Sequence, residues 1–562
     1  MELIEWNEQR QRVFLDRYAK KDDNNDPVEK GPEEMWARVA SAMAETPKES
    51  QLFYEILDKF QFVPGGRILA GDRTLYNCFV LGFKPGGTGA DSRGSIMSVI
   101  AKLIEITARG GGGGINWSAL RPRDASIRGV NGKSSGSIAW MRGADSLEDA
   151  IIQGGTRTAA LMFMLDDWHP DIVEFTQTMS RFERANFSIN ISRKFMEAVE
   201  KDEDWPLFFP DTDSPFYDHE WDGNLQSWRD KQLPVIPWSL VKAKDLWKAI
   251  AESAYMIGSP GIAFMDRCNE WSNTHYLQKL SCFNPCGEQP LPVDGSCNLG
   301  AINLLAFMNG GRFLWDRLRM VIKFAVRFLD RVIDVSEDID PDIGDLQRLT
   351  RRIGLGTMGL ADIFILMGMQ YGSDKSIAFI HTLYSFIRDV AYEASIDLAK
   401  EKGPAPGFEL DQILESKFIR VLPEEIIRGI NSYGLRNLTL LTQAPTGTTS
   451  ILAGASSGIE PIFSRGYTRT DASGCSTVRH PLADDQNMVT AKDLTAEEHI
   501  KVQAAIQTYM DASISKTINL PKECSIDDIS DAYKLAYDLG CKGITVYRAS
   551  SLDDVLCETC NL

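Results

Sequence analysis

Apolar side chains recur at helical spacing in several parts of the chain. In residues 316–334 they occupy one face of a helix. A second such pattern runs from about 376 to 402, and Gly403 and Pro404 follow it as stop signals. Within the first 50 residues, the same spacing follows Pro32, a residue typical of a helix start. These segments predict scaffold helices and a helical N-terminal region.

Short apolar runs bounded by turn residues predict strands. Residues 76–81, 437–443 and 543–547 have this pattern. Residues 203–235 are instead rich in Asp, Trp and Pro, with little periodicity, and predict an irregular surface excursion. Because strands and helices alternate through the middle and C-terminal half of the chain, the pattern favours an α/β fold.

Composition narrows the class of protein. The chain has 562 residues, of which 43% are apolar and 25% charged, as expected for one large domain with appendages. The formal net charge of −18 argues against nonspecific binding to nucleic acid or to an anionic membrane. No apolar run approaches the ~20 residues that span a bilayer, and the N-terminus has no signal-like core. We therefore expect a cytoplasmic protein that binds neither DNA nor membrane.

Cysteine usage points to redox chemistry. Ten cysteines in a chain of this length do not form a disulfide scaffold. In a reducing compartment they are free thiols, metal ligands or redox catalysts. The six histidines are scattered without the spacing of a zinc pair, so we predict no metal site.

The candidate reaction centre is the stretch Asn284-Pro285-Cys286-Gly287-Glu288. In an extended loop, alternate side chains point the same way, so an amide, a thiol and a carboxylate are expected to face one small substrate. That set can bind, attack and remove a proton. The alternative is an inert core cysteine, since buried cysteines are common. Cys78, within the strand-like run 76–81, has the same alternative.

A second thiol motif lies at the C-terminus, where Cys557 and Cys560 form a Cys-x-x-Cys. A terminus has no core for these residues to fill, and the spacing suits thiol–disulfide exchange. Half of a zinc site is the alternative, although no matching second pair accompanies it.

Two glycine-containing segments are candidates for phosphate binding. Residues 110–114 are all glycine and let backbone or ligand approach closely. Arg121, Arg123 and Arg128 follow and are suited to forked hydrogen bonds with a nucleotide phosphate; a solvated basic face is the alternative.

In the second segment, the strand 437–443 leads through a turn into a helix start that offers free backbone N–H groups and a favourable dipole. An ordinary capped helix is the alternative. The candidate phosphate-binding residues are Pro445, Thr446, Gly447, Thr448, Thr449 and Ser450.

Taken in order, these segments resemble the catalytic large subunit of ribonucleotide reductase. The resemblance implies a ten-stranded α/β barrel with a finger loop entering its centre, preceded by a helical region. It implies a helical N-terminal region over 1–60, a barrel domain with an effector site over 61–548, and a flexible redox tail over 549–562. The motifs that carry the resemblance are 77–81, 114–116, 153–155, 284–288, 296–300, 444–448, 458–461 and the pair 557/560.

The resemblance assigns a role to each residue of the candidate centre. Cys286, at the tip of the finger, becomes a thiyl radical and removes the 3′ hydrogen of a ribonucleotide. Glu288 takes the proton of the 3′ hydroxyl, and Asn284 holds the substrate. Cys78 and Cys297 supply electrons and protons for loss of the 2′ hydroxyl and end as a disulfide.

The C-terminal pair completes the implied cycle. Cys557 and Cys560 reduce the disulfide by exchange and are themselves reduced by thioredoxin or glutaredoxin.

The resemblance also implies allosteric control of base choice. A deoxynucleoside triphosphate, or ATP, binds as specificity effector at a homodimer interface, where Asp91, Arg121 and Arg128 match its ligands. Gln153 and Arg157 match the loop that relays the signal to the substrate. The N-terminal segment is too short for the regulatory ATP cone, so we expect no overall on/off control by ATP and dATP.

Two radical sources fit the motifs. A compact, phage-like member receives its radical from a separate ferritin-like subunit through Tyr547, and then binds no cofactor itself. This source is slightly favoured, because the chain leaves little extra sequence for a corrin. Several motifs nevertheless resemble those of adenosylcobalamin-dependent members, which makes that cofactor the alternative.

Two other functional classes remain open from the residues alone. A non-radical thiol–disulfide oxidoreductase would need only Cys557 and Cys560 and leaves Glu288 without a role. A nucleotide-binding regulatory protein would use the glycine and arginine segments, and its binding would survive Cys286→Ser.

Overall fold

The computed structural model describes residues 6–71, 74–84, 89–127, 132–148, 150, 160–471, 474–480 and 482–549. Its helices are α1 (Glu8–Arg17), α2 (Pro32–Met43), α3 (Pro47–Asp58), α4 (Gly66–Ala70), α5 (Arg93–Ala108), α6 (Ser137–Glu148), α7 (Ile172–Thr178), α8 (Arg193–Lys201), α9 (Tyr217–Glu220), α10 (Leu225–Asp230), α11 (Ala243–Ile257), α12 (Met265–Glu270), α13 (Trp315–Val335), α14 (Pro341–Thr350), α15 (Leu360–Leu366), α16 (Asp374–Lys402), α17 (Leu410–Ile413), α18 (Lys417–Arg420), α19 (Glu424–Tyr433), α20 (Gly447–Ala453), α21 (Ala496–Gln507) and α22 (Ile526–Asp538).

The strands are β1 (Phe62–Pro64), β2 (Cys78–Leu81), β3 (Gly112–Asn116), β4 (Ser126–Ile127), β5 (Gly132–Lys133), β6 (Leu161–Asp166), β7 (Ala185–Asn190), β8 (Asp204–Pro210), β9 (Val235–Lys242), β10 (Gly261–Ala263), β11 (Leu280–Phe283), β12 (Pro290–Pro292), β13 (Gly295–Asn303), β14 (Met308–Asn309), β15 (Arg312–Phe313), β16 (Ile353–Met358), β17 (Gly466–Asp471), β18 (Gly474–Arg479), β19 (Thr517–Leu520) and β20 (Gly543–Arg548). The two long predicted helices are confirmed as α13 and α16.

One large sheet organises the described part of the chain. Its ten strands pair in the order β1-β13-β2-β3-β6-β7-β10-β20-β19, and β16 pairs with β13. Strands β2, β3, β6, β7 and β10 are mutually parallel along this path. The segment 437–443 then bridges the two ends, because Leu441 pairs with Leu355 of β16 and Gln443 pairs with Ile514, just before β19. The α/β class predicted from the sequence is confirmed, with the helices α1–α3 preceding the sheet.

Alternation along the strands separates an outer from an inner layer. In β6, Leu161, Phe163 and Leu165 belong to the apolar layer shared with surrounding helices. Met162 and Met164 instead belong to a smaller cluster that also contains Phe283. Since neighbouring strand residues point to opposite faces, this second cluster lies on the inner face of the sheet, away from the surrounding helices. The interior is where the segment after β11 enters.

The segment 203–235, predicted to be an irregular surface excursion, is only partly irregular. Strands β8 and β9 pair along most of their length, with a register shift between Leu207 and Phe208. Pro206, Pro210 and Pro237 lie in these strands and obscure the usual pattern. An outlying two-stranded ribbon tolerates proline because each strand has an edge without a ladder partner.

Among the described residues, no helix is both long and apolar enough to cross a membrane.

Candidate active site

A tight hairpin carries the candidate reaction centre into the sheet. Strands β11 and β12 pair antiparallel, and residues 284–289 connect them. The backbone N–H of Gly287 donates to Asn284 O at 3.0 Å, and the N–H of Asn284 donates to Gln289 O at 3.1 Å. Gly287 has φ +80°, which suits glycine. The expectation of an extended loop is therefore wrong: a turn, rather than alternation, brings the three side chains to one cavity.

The glycine run explains how the hairpin fits. Residues 112–114 lie in β3, and a Cβ added to Gly114 would lie 1.9 Å from Phe283 O. A Cβ on Gly112 would lie 2.9 Å from Pro285. The absence of side chains thus lets the hairpin backbone lie directly against β3. Asn186 Nδ2 adds a hydrogen bond to Pro285 O at 3.3 Å. In this run, Gly114 makes room for the hairpin backbone, whereas Gly112 makes room for the Pro285 side chain.

The base of the hairpin is fixed through one carbonyl. Glu288 O accepts hydrogen bonds from Thr442 Oγ1 at 2.8 Å and from the backbone N–H of Ser513 at 2.9 Å. Both donors belong to the segments that join β16 to β19. The same two segments that complete the sheet pairing therefore hold Glu288 in place.

Two thiols lie opposite each other on neighbouring strands. Cys78 of β2 and Cys297 of β13 are partners in the antiparallel register, and both are buried. Asn284 Nδ2 lies 3.1 Å from Cys78 Sγ, and the Cys78 thiol lies 3.6 Å from Glu288 Oε1. Cys286, at the hairpin turn, is half-buried and close enough to influence the pKa of Cys78. The structure thus brings together all five residues of the predicted centre.

Burial sets the protonation of this cluster. It raises the pKa of Glu288 above its usual range, and hydrogen bonds from Asn284 and Cys78 oppose that rise. It also raises the pKa of Cys78, an effect reinforced by the negative charge of Glu288, and raises the pKa of Cys297. Both thiols are therefore held protonated at neutral pH. Glu288 Oε2 is buried with no hydrogen-bond partner among the described atoms, so it can accept from a substrate hydroxyl.

A cavity of about 1140 Å³ opens in front of the cluster. Cys78, Asn284, Cys286 and Glu288 line it, whereas Cys297, the register partner of Cys78, is not among the lining residues. Residues 445–449 line another wall. Such a cavity is large enough for a nucleotide.

The candidate phosphate segment adopts the predicted turn and helix start. Thr446 has φ +56°, and its Oγ1 accepts a hydrogen bond from the N–H of Gly458 at 2.8 Å. Helix α20 begins at the next residue. Ser450 is buried, its hydroxyl donates to Gly447 O at 2.9 Å, and it does not line the cavity. The part of the segment that lines the cavity is therefore 445–449.

Tyr547 lies where the sequence predicted a strand, in β20. It pairs in register with Asn519 of β19 and is half-buried. Its suggested part in radical transfer stays a prediction.

The candidate effector residues are only partly described. Asp91 is buried and binds Arg121 through both oxygens, at 2.5 Å to Nε and 3.1 Å to Nη2. The Tyr217 hydroxyl also donates to Asp91 Oδ2 at 2.9 Å. Arg123, from the same basic stretch, pairs with Glu174. The predicted residues outside the described part of the chain are Arg128, Gln153, Arg157, Cys557 and Cys560.

Sequence reasoning missed several neighbours of these sites. Tyr217 is one, because nothing in the sequence links it to Asp91. Tyr18 is another: its hydroxyl hydrogen-bonds the Thr448 hydroxyl across most of the length of the chain. For the hairpin turn a signal existed, since Pro285 and Gly287 are turn residues.

Within the described ranges, no group of three His, Cys, Asp or Glu side chains is arranged to hold a metal ion.

Comparison with known proteins agrees with this geometry. A family model described as "Ribonucleotide reductase, barrel domain" matches residues 76–487 and 481–547, and one described as "Ribonucleotide reductase, all-alpha domain" matches 6–75. A vitamin B12-dependent ribonucleoside-diphosphate reductase of Mycobacterium tuberculosis is 32% identical over 96% of this chain and 79% of its own length. A protein of the same description from Thermoplasma acidophilum is 33% identical over 89% and 65%. The ribonucleoside-diphosphate reductase large subunit of variola virus is 29% identical over 93% and 69%.

Proposed function

Because the chain belongs to the ribonucleotide reductase large-subunit family, we propose that it reduces ribonucleoside diphosphates to 2′-deoxyribonucleoside diphosphates through a thiyl radical at Cys286. The observation that carries this proposal is the register pair Cys78–Cys297, with Glu288 beside Cys78 and Cys286 on the same cavity. Relatives named as ribonucleoside-diphosphate reductases support the substrate class.

The chemistry balances with the groups of this pocket. The Cys286 thiyl takes the 3′ hydrogen atom, and Glu288 takes the proton of the 3′ hydroxyl. The 2′ hydroxyl then leaves as water after receiving a proton from the thiol pair. Cys78 and Cys297 together give two electrons and two protons and form a disulfide. One of these protons leaves in the water, and the other becomes the new hydrogen at the 2′ carbon. Glu288 returns its proton to the 3′ oxygen, and Cys286 returns a hydrogen atom to the 3′ carbon.

Electrostatics supports this division of roles. The raised pKa of Cys78 keeps a proton on sulfur until the 2′ oxygen needs it. The raised pKa of Glu288 brings the carboxylate closer in basicity to the group it must deprotonate. Asn284, with its amide on Cys78 and its carbonyl on the Gln289 N–H at 2.9 Å, fixes the orientation of the cluster. A buried pocket also protects a radical from water.

The substrate's phosphates lie on the wall formed by 445–449 in this proposal. Thr446, Thr448 and Thr449 offer hydroxyl groups there, and Gly447 opens the cavity to backbone N–H groups at the start of α20. The same cavity contains Cys286, so one nucleotide can reach from the phosphate wall to the thiols.

For the radical source, we propose adenosylcobalamin, the alternative raised by the motifs. The names of the relatives from M. tuberculosis and T. acidophilum support it. The cavity, at about 1140 Å³, exceeds the roughly 300–1,000 Å³ typical of single-ligand sites. Ser180, Arg184 and Ser259 also line the cavity, and their polar groups have no part in the substrate contacts proposed above. When bound, this cofactor supplies a radical by cleavage of its cobalt–carbon bond.

The test is a reduction assay with two radical sources. The full chain, a ribonucleoside diphosphate and a dithiol are incubated with adenosylcobalamin, or with a metal-loaded ferritin-like subunit. We expect deoxynucleotide with adenosylcobalamin. Product only with the separate subunit would support the other radical source and give Tyr547 a part in transfer. No product with either, for diphosphates and triphosphates alike, would overturn the proposed activity.

We also propose that an effector triphosphate binds near Asp91 and Arg121 and favours a homodimer. Arg121 supplies the cation, held by Asp91 and stacked 5.1 Å from the Tyr217 ring. Light scattering with and without dATP, dTTP, dGTP or ATP tests this. We expect a larger mass with effector and weaker binding in Arg121→Gln, while an unchanged mass for all four would contradict it.

A further inference from the structure

Helix α1 is attached to helix α20 at both ends. Arg10, in the first turns of α1, donates from Nε to Leu452 O at 2.8 Å. Tyr18, the residue after α1, shares a hydrogen bond between its hydroxyl and that of Thr448. The start of one helix thus meets the end of the other, so the two run antiparallel. Helix α20 is the element whose first turn lines the cavity.

The attachment at Arg10 is well buried. Its guanidinium lies 4.8 Å from the Trp6 ring and 4.9 Å from the Phe60 ring, and only 4% of the residue is exposed. Burial lowers the pKa of Arg10 to about 10, which leaves it charged at neutral pH. A planar cation held between two rings fixes α1 firmly in place. The position of Tyr18 is therefore determined before any ligand binds.

Tyr18 contacts two walls of the cavity at once. A Cβ on Gly66 would lie 3.2 Å from Tyr18 Cε1, so the ring rests on the segment 64–66. Its hydroxyl meets Thr448, in the segment 445–449. Residues 64–66 and 445–449 both line the cavity. A partly buried hydroxyl pair of this kind selects one rotamer of the Thr448 side chain.

The end of α1 also brings positive charge to the cavity. Arg17, Lys20 and Lys21 line it next to Tyr18. Lys21 Nζ bonds Asp16 O at 3.2 Å, and the backbone N–H of Lys20 bonds Glu29. Among the described residues, no carboxylate lies within ion-pair distance of Arg17. Asp16 also lines the cavity, so this stretch contributes three cations against one carboxylate and attracts an anionic ligand.

We propose that Tyr18 is a positioning residue for the phosphate end of the substrate site, acting by holding the Thr448 hydroxyl toward the nucleotide. This inference rests on the proposed function for the identity of the ligand. It extends the site to the N-terminal helix, which neither the motif 445–450 nor the thiol cluster includes.

The experiment measures nucleotide binding as well as turnover in Tyr18→Phe. We expect the Kd and KM for a ribonucleoside diphosphate to rise about fivefold, the effect of one lost hydrogen bond. The change in kcat should be much smaller, and the Tm should stay near that of the wild type. Tyr276→Phe is the matched control, because it removes a half-buried hydroxyl bond to Gly407 O away from the cavity.

A double-mutant cycle with Thr448→Val separates positioning from a general structural role. We expect Thr448→Val to weaken binding and Tyr18→Phe to add nothing further in that background. Multiplying effects, an unchanged Kd in Tyr18→Phe, or a Tm fall with kcat and KM both impaired, would overturn the inference. Because Kd is measured by titration without turnover, failure of the reductase proposal would be seen separately, as no deoxynucleotide from the wild type.

Discussion

Two groups of buried cysteines share the interior of this protein and differ in what surrounds them. Cys78 and Cys297 lie at the candidate centre, whereas Cys268 and Cys541 lie where α12 meets the start of β20. All four are almost completely buried, and Cys268 belongs to the same apolar cluster as the first pair. Burial raises the pKa of all four thiols, to about 12 for both Cys268 and Cys541. Neither burial nor acidity therefore distinguishes a reactive thiol from a packing one.

The groups that surround the thiols distinguish the two pairs of cysteines. Cys268 Sγ lies 3.8 Å from a backbone carbonyl, that of Lys542, in a closed part of the core. Cys78 instead lies beside the carboxyl of Glu288 and the amide of Asn284, on the wall of a cavity. A thiol can transfer a proton and electrons only where a substrate can reach it and a second thiol can close the disulfide. The comparison predicts which substitutions abolish turnover and which change only packing.

The largest expected effect is that of Cys286→Ser. A hydroxyl holds its hydrogen too strongly to replace the thiyl, so deoxynucleotide formation should fall by on the order of 10³-fold or more. Nucleotide binding, measured by titration, should persist. Cys268→Ser is the matched control and should retain activity with at most a modest loss of stability. Equal loss in both variants would remove the distinction between cysteines of the candidate centre and packing cysteines. Residual turnover in Cys286→Ser would contradict the thiyl role.

The second largest expected effect on turnover is that of replacing the Glu288 carboxylate. Glu288→Gln should lower kcat by about 10²–10⁴-fold, the usual contribution of a general base. In the wild type, the base must be ionised, and burial raises the pKa of Glu288 above 4.5. The rate should therefore fall as pH decreases through that raised pKa, in a pH profile of kcat/KM. A profile flat down to the ordinary range of glutamate would contradict this assignment.

Glu288→Gln should lower activity but raise stability. A raised pKa means that the folded state binds the proton more tightly than the unfolded state. The linked stabilisation is present below the unfolded pKa and is lost as pH rises through the folded pKa. Glu288→Gln should therefore have a higher Tm than the wild type at neutral pH, and the difference should vanish near pH 4. Thermal melts at several pH values measure it, with Glu270→Gln, a more exposed carboxylate, as control.

The C-terminal pair provides a further comparison, between thiols that react with the substrate and thiols that reduce the resulting disulfide. We expect Cys557→Ser to stop repeated turnover with thioredoxin or glutaredoxin while permitting one turnover of pre-reduced protein. A small dithiol that reaches the Cys78–Cys297 disulfide should restore activity. Product yield per chain, by rapid quench and at steady state, checks both points. Full steady-state activity with thioredoxin would exclude a shuttle role for Cys557.

Local motifs in the sequence predicted more of the site than of its surroundings. The amide, thiol and carboxylate of 284–288 lie within five residues, so their convergence needs only a turn. The partnership of Cys78 with Cys297 depends on the register of two distant strands, which the residues alone do not specify; it was available only from the family resemblance.

Other features depended on contacts that the sequence does not encode locally. The glycines of 112–114 are consistent with any close approach, and only the fold reveals that the hairpin is the neighbour of Gly112 and Gly114. Tyr217 beside Asp91, and Tyr18 beside Thr448, join segments with no shared pattern. The strands β8 and β9 were missed because prolines interrupt the alternation on which strand prediction relies.

The smallest effect we predict concerns the fit of the hairpin, and it tests whether position alone separates Cys286 from the packing cysteines. Gly114→Ala places a methyl group 1.9 Å from Phe283 O, so the hairpin backbone must move. Overpacking of this kind costs about 1–3 kcal/mol of unfolding free energy, and displacement of the reacting group by ~1 Å lowers kcat up to ~10²-fold. Gly143→Ala, in α6 with no atom within 4 Å of the new Cβ, should instead stabilise by about 0.5–1 kcal/mol at full activity. Denaturant unfolding and initial rates compare the two. Unchanged kcat in Gly114→Ala, despite lost stability, would mean that the hairpin tolerates displacement, and that the close contact with β3 serves packing rather than chemistry.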